Sequence, residues 1–163
     1  MTKDEVIKKF DLTPLPLEGG FYRETYRSKR KVQSALGERI EATAIYYLVT
    51  DESFSALHVV DQDEIFHFYA GDAVEMFQIL PDGTGLTITI GNRIDLGETP
   101  QVIVPHGIWQ GTKLRVSRKD GWALLGCTCA PGFEYENFHM KSRAELSAMY
   151  PSLKQQIANY TVP

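Results

Sequence analysis

His58 and Glu64 stand six residues apart across the polar run Asp61-Gln62-Asp63, and Gly71 follows seven residues after the glutamate. Strands are expected on both sides of that run, over 54–60 and 64–70. A strand shows alternate side chains on one face. If His58 points inward, so do Ala56 and Val60; if Glu64 points inward, Phe66 and Phe68 share its face. The turn then sets His58 and Glu64 on neighbouring strands, both aimed into a barrel. An imidazole beside a carboxylate suits two chemistries. It can ligate a metal, or it can act as a general base whose proton affinity the carboxylate raises. A charged pair facing an apolar interior is costly unless it is used, so His58 and Glu64 are the catalytic candidates, against the alternative of a buried pair that only stiffens the barrel.

Further candidates surround this pair. Phe66 and Phe68 are ligand-contact candidates because they share the face of Glu64. Tyr46 shares a face with Ala44 and Leu48, and Tyr47 with Ile45 and Val49; either could supply a pocket hydroxyl. Arg23 could bind phosphate or carboxylate through its planar fork, or lie on an exposed strand edge. Trp109 could stack on a ligand or belong to the core. His67 differs in parity from Glu64, which predicts the outer face. Cys127 and Cys129, two apart on an expected strand, read as buried thiols rather than a disulfide or a zinc site.

The elements that must position these groups read as β almost throughout. Strands are predicted over 21–27, 42–50, 54–60, 64–70, 73–80, 86–91, 101–105 and 122–130, with turn signals at Gly71-Asp72, Pro81-Asp82-Gly83 and Gly91-Asn92. Many short, regularly spaced strands predict a mainly β sandwich or barrel. The polar stretch 28–38 reads as a loop. Thr2 with Glu5 and Ser142 with Glu145 have capping-box spacing, which predicts short helices at both ends; Ser152 with Gln155 repeats the spacing before a last helix over 153–158. At 163 residues the chain is expected to form one domain over 1–163. Its formal charge of −4 argues against a nucleic-acid partner. No stretch reaches the apolar length of a membrane span, and the polar, acidic start is unlike a signal peptide; a cytoplasmic location is expected.

The motifs together resemble the cupin superfamily. Its first motif runs glycine, five residues, His-x-His, three or four residues, Glu, six residues, Gly. His58, Glu64 and Gly71 stand in register, while Val60 holds the place of the second histidine and Glu52 that of the first glycine. Its second motif, Pro-x-Gly, two residues, His, is met by Pro105 and Gly107, with Gln110 in place of the histidine. The chain is more narrowly similar to small single-domain cupins of unknown function, through Leu17-Glu18-Gly19-Gly20, Glu64-Ile65-Phe66-His67 and Pro131-Gly132-Phe133-Glu134. The resemblance implies a double-stranded β-helix, or jelly-roll barrel, commonly homodimeric, with structural kinship to nucleotide-sugar epimerases such as dTDP-4-dehydrorhamnose 3,5-epimerase. It also implies that Gln110 faces the pocket. An alkyl and an amide replace two imidazoles, so a tightly held metal is not expected; the cofactor stays unknown. The expected activity is small-molecule binding, with a metal-independent isomerase or epimerase acting on a sugar-like or carbonyl-bearing metabolite as the leading reading. A metal-dependent oxygenase-type cupin and a non-catalytic binder are the alternatives.

Overall fold

Strand formers dominate the segments that carry the candidate residues, as in Thr43-Ala-Ile-Tyr-Tyr-Leu-Val-Thr50. The computed structural model describes residues 1–116 and 119–162. In chain order the strands are β1 (Thr13–Pro14), β2 (Phe21–Arg27), β3 (Lys31–Ser34), β4 (Gly37–Ile40), β5 (Thr43–Thr50), β6 (Ser55–Val60) and β7 (Asp63–Gly71). They continue as β8 (Val74–Ile79), β9 (Gly85–Ile90), β10 (Gln101–Val104), β11 (Trp109–Leu114), β12 (Trp122–Ala130) and β13 (Phe138–Met140). One sheet has the order β1-β2-β5-β12-β7-β10 and the other β13-β6-β11-β8-β9, with β3 and β4 forming a separate hairpin. Neighbours in both sheets run antiparallel. This is the jelly-roll arrangement expected from the motifs.

The two-residue period sorts side chains into layers. Tyr47, Val49, Phe66, Met76, Val104 and Leu125 meet between the sheets in the main core. Odd positions of β6, β8 and β11 face the other way, where Leu57, Phe77, Ile79 and Trp109 pack against Leu146 of α2 (Arg143–Met149) and Ile157 of α3 (Lys154–Asn159). On the outer face of the first sheet, Leu48, Trp122 and Leu124 bury Val6 of α1 (Lys3–Phe10). Each helix thus seals an outer sheet face. No helix among the described residues is long and apolar enough to cross a membrane.

Both N-terminal capping boxes form as predicted, Thr2 with Glu5 and Ser142 with Glu145. The third does not: Pro151–Leu153 is a 3-10 turn, and α3 starts behind Leu153 without a side-chain cap. Pro151 opens that turn at its first position, where its missing N–H is not needed, so Ser152 lies inside the turn instead of capping the helix. The expected loop over 28–38 is instead largely the β3–β4 hairpin, tied by the Lys31–Glu38 ion pair. β11 is a strand beyond those expected from the sequence; Gly111 and Lys113 interrupt its apolar pattern. The largest correction concerns β6 and β7. They lie in different sheets, so His58 and Glu64 face one another across the barrel instead of along a ladder. The chain crosses between the sheets at Asp61-Gln62. Asp61 there accepts from His139 (3.0 Å) and Asn137 (3.2 Å), while Asp63 accepts from the backbone and ring of His106 (2.9 and 3.0 Å).

Trp109 is 7% exposed and belongs to the helix-side core, away from the barrel interior. Trp109→Ala is expected to cost about 3–5 kcal/mol of stability by chemical denaturation, and a cost below about 1 kcal/mol would show that the indole is not a packing element.

Candidate functional site

Gln110 and His58 are direct partners in the β11–β6 ladder, so their side chains share the inner face. Glu64 comes from β7 on the opposite sheet, between Val104 and Cys129 as ladder partners. Gln110 bridges the two. Its Nε2 donates to Glu64 Oε2 at 2.5 Å and lies 3.4 Å from His58 Nε2. All three are buried: His58 is 2% exposed, Gln110 0% and Glu64 8%.

The tautomer of His58 follows from its partners. Nδ1 lies 2.8 Å from the Ala56 carbonyl oxygen, which can only accept, so Nδ1 carries the proton. In the neutral ring Nε2 is then bare and faces the Gln110 amide. Phe138 stacks on the imidazole at 5.1 Å. Burial pushes the Glu64 carboxyl from its ordinary 4.5 up to about 7, with nearby Glu18 adding to the rise, while His58 and the Gln110 hydrogen bond oppose it.

A pocket of about 270 Å³ opens in front of Glu64. Leu15, Pro16, Tyr22, Thr43, Ile45, Phe133, Tyr135 and Phe138 line it. Cys127 and Cys129 are part of its wall and are free thiols, as expected from the sequence. Burial holds both thiols protonated, Cys127 well above its ordinary value and Cys129 likewise raised, and the Glu64 charge adds to each shift.

Glu18 is the residue that sequence reasoning missed. It reaches the pocket from the turn between β1 and β2, accepting from Ser55 Oγ at 2.6 Å and lying 3.9 Å from His58 Nδ1. The turn is held for this purpose. Gly19 and Gly20 have positive φ, and a Cβ on Gly19 would collide with the Phe54 carbonyl oxygen. Tyr47 donates to the Gly19 carbonyl at 3.0 Å, and Ser53 accepts from the Gly20 N–H at 2.7 Å. The sequence signal for it is Leu17-Glu18-Gly19-Gly20, and Pro131-Gly132-Phe133-Glu134 likewise carries Phe133 and Glu134 of the pocket wall.

The other candidates fall in two groups. Phe66 and Phe68 lie on the inner face, Phe66 inside the main core and Phe68 packed against it. Tyr46 and Arg23 do not reach the pocket. Tyr46 packs on the outer face against Phe10, with the Arg23 guanidinium 5.6 Å from its ring. Tyr47, of opposite parity, is the tyrosine inside the barrel. His67 also lies on the outer face, 3.2 Å from Thr128 Oγ1 and stacked on Tyr69, as its parity predicts.

A family model described as the cupin superfamily (DUF985) matches residues 4–141. The chain belongs to this cupin family. A hypothetical protein from Leishmania major is similar over 100% of both chains, at 32% identity and a TM-score of 0.95. A protein from Shewanella oneidensis is 33% identical, with a TM-score of 0.90, over 100% of this chain and 99% of the other. An uncharacterized protein of Saccharomyces cerevisiae is 27% identical over 132 residues, covering 74% of this cupin and 66% of the yeast protein; the cupin thus spans just under two thirds of that relative's length. Oxalate decarboxylase of Bacillus subtilis shares the fold alone, at 14% identity and a TM-score of 0.56, over 92% of this chain and 37% of the decarboxylase.

Metal chemistry recurs among cupins, so the donor set needs a direct test. Among the described residues no three His, Cys, Asp or Glu side chains converge as metal ligands. At the motif positions the cupin offers one imidazole, one carboxyl and one carboxamide, and Val60 is buried alkyl. The Gln110 amide turns its N–H groups, which cannot ligate, toward both other donors. This set does not fit a tightly held transition metal.

The Glu64 shift has a definite sign for stability. Below about pH 4.5 the group is neutral in folded and unfolded chains alike. As pH rises from 4.5 to about 7, the unfolded chain releases its proton first, and the folded state loses stability. Glu64→Gln is expected to flatten that fall and to be the more stable protein at pH 8, by on the order of 3 kcal/mol. Thermal melts of both proteins at pH 5 and pH 8 check this; parallel pH profiles would refute the shift.

Proposed function

We propose that this cupin binds a small metabolite in the pocket before Glu64 and moves a proton on it, as an isomerase or epimerase does beside a carbonyl. The single observation that carries this reading is the position of Glu64: a buried carboxyl on the pocket wall, with its proton affinity raised to about 7. A general base works best when its pKa lies near the operating pH. The roles expected from the motifs are therefore exchanged. Glu64 takes the proton from the carbon next to the carbonyl and returns it to the same or the neighbouring atom. His58 lies behind it, its ring covered by Phe138 and its bare nitrogen facing Gln110, and acts by holding Gln110 and Glu64 in place.

A non-catalytic binder is the second reading. It is favoured by the covering of His58 under Phe138, which keeps the imidazole off the pocket wall.

Deuterium incorporation into small hydroxycarbonyl compounds in heavy water, followed by proton NMR, separates the two. Exchange is expected to rise with pH through about 7 and to fall about a hundredfold or more in Glu64→Gln. His58→Ala is expected to retain part of the rate. Full exchange in Glu64→Gln would remove Glu64 from the mechanism, and binding without exchange in the wild type would leave the binder reading.

A further inference from the structure

We infer that the ligand is a small organic cation, an ammonium or quaternary ammonium compound, received by Glu18 and an aromatic corner; this rests on the pocket being a ligand site. Three rings make the corner. Phe133 meets Tyr135 at 79° with centroids 5.2 Å apart, and Phe138 at 68° and 6.3 Å. Tyr22 lines the same pocket. Rings that meet near right angles can turn more than one face toward a small volume, and the negative face of an aromatic ring favours a positive charge over an alkyl group of equal size.

The charges on the wall point the same way. Glu18, Glu24, Glu64 and Glu134 line the pocket, and Arg27 is the cation among its described lining residues. Arg27 is not free to meet an anion. Its Nε and Nη2 hold Glu24 at 2.8–3.1 Å, and Nη1 holds Glu134 at 3.3 Å. Glu18 has a hydroxyl and an imidazole edge for partners, and the His58 Nδ1 proton is already given to a backbone carbonyl. A carboxylate on the wall of a pocket lined by aromatic rings, with no guanidinium or ammonium to spare among the described lining residues, complements a cation. It repels a diphosphate or a dicarboxylate. The volume of about 270 Å³ suits a compact molecule.

Choline and its uncharged carbon isostere 3,3-dimethyl-1-butanol differ in charge and hardly in shape; acetate and pyrophosphate supply the anions. Binding of each to the full chain, measured by calorimetry at pH 8 and low salt, is expected to favour choline over the isostere by about tenfold or more, with no anion binding. Glu18→Gln and, independently, Tyr135→Leu at an exposed ring are expected to bring that ratio below about threefold. Equal affinity for choline and the isostere, or binding of either anion, would overturn the cation inference while leaving the pocket as a ligand site. Failure of all four compounds to bind would overturn both the inference and the ligand-site reading.

Discussion

The hydrogen bond from the Gln110 amide to Glu64 joins the two sheets across the barrel, and the polar part of the interior is organised around it. A carboxyl group in that position must be partnered or neutral. Glu64 is partnered by Gln110, which faces His58 in turn, and His58 is fixed by the Ala56 carbonyl. Each member orients the next. What remains of the cost of burial appears as a raised proton affinity. The same contact that links the sheets therefore leaves a carboxyl whose proton affinity lies near neutrality.

The layers around the barrel leave the pocket free. Outer faces are sealed by α1 on one sheet and by α2 and α3 on the other, so the apolar demand of both sheets is met outside as well as between them. The barrel interior can then afford an opening lined by rings and thiols. The turn carrying Glu18 and the segment carrying Phe133 to Phe138 both contribute to its wall.

Kinship to oxalate decarboxylase reaches only the fold. The positions that carry imidazole in metal-binding cupins hold Val60 and Gln110 here, and the structure shows what the amide does instead. It donates where an imidazole nitrogen would ligate. The scaffold is kept while the polar centre is rebuilt for hydrogen bonding.

Much of this was legible in the order of residues. Strand formers, turn signals and two capping boxes placed most of the elements, because they act through local backbone preference. Parity along single strands placed Glu64 with Phe66 and Phe68 and put His67 on the other face. The motifs named His58, Glu64 and Gln110 and the jelly roll. Parity is relative, however, and only packing shows which face is inside. That decided for Tyr47 over Tyr46, and it turned Trp109 and Arg23 away from the pocket. The placement of His58 opposite Glu64, the covering of the imidazole by Phe138 and the arrival of Glu18 depend on contacts between residues far apart in the chain, as for Ser55 with Glu18 at a separation of 37 and Gln110 with Glu64 at 46. Local sequence sets which face a side chain shares with its neighbours; only the folding of one sheet over the other sets what that face meets.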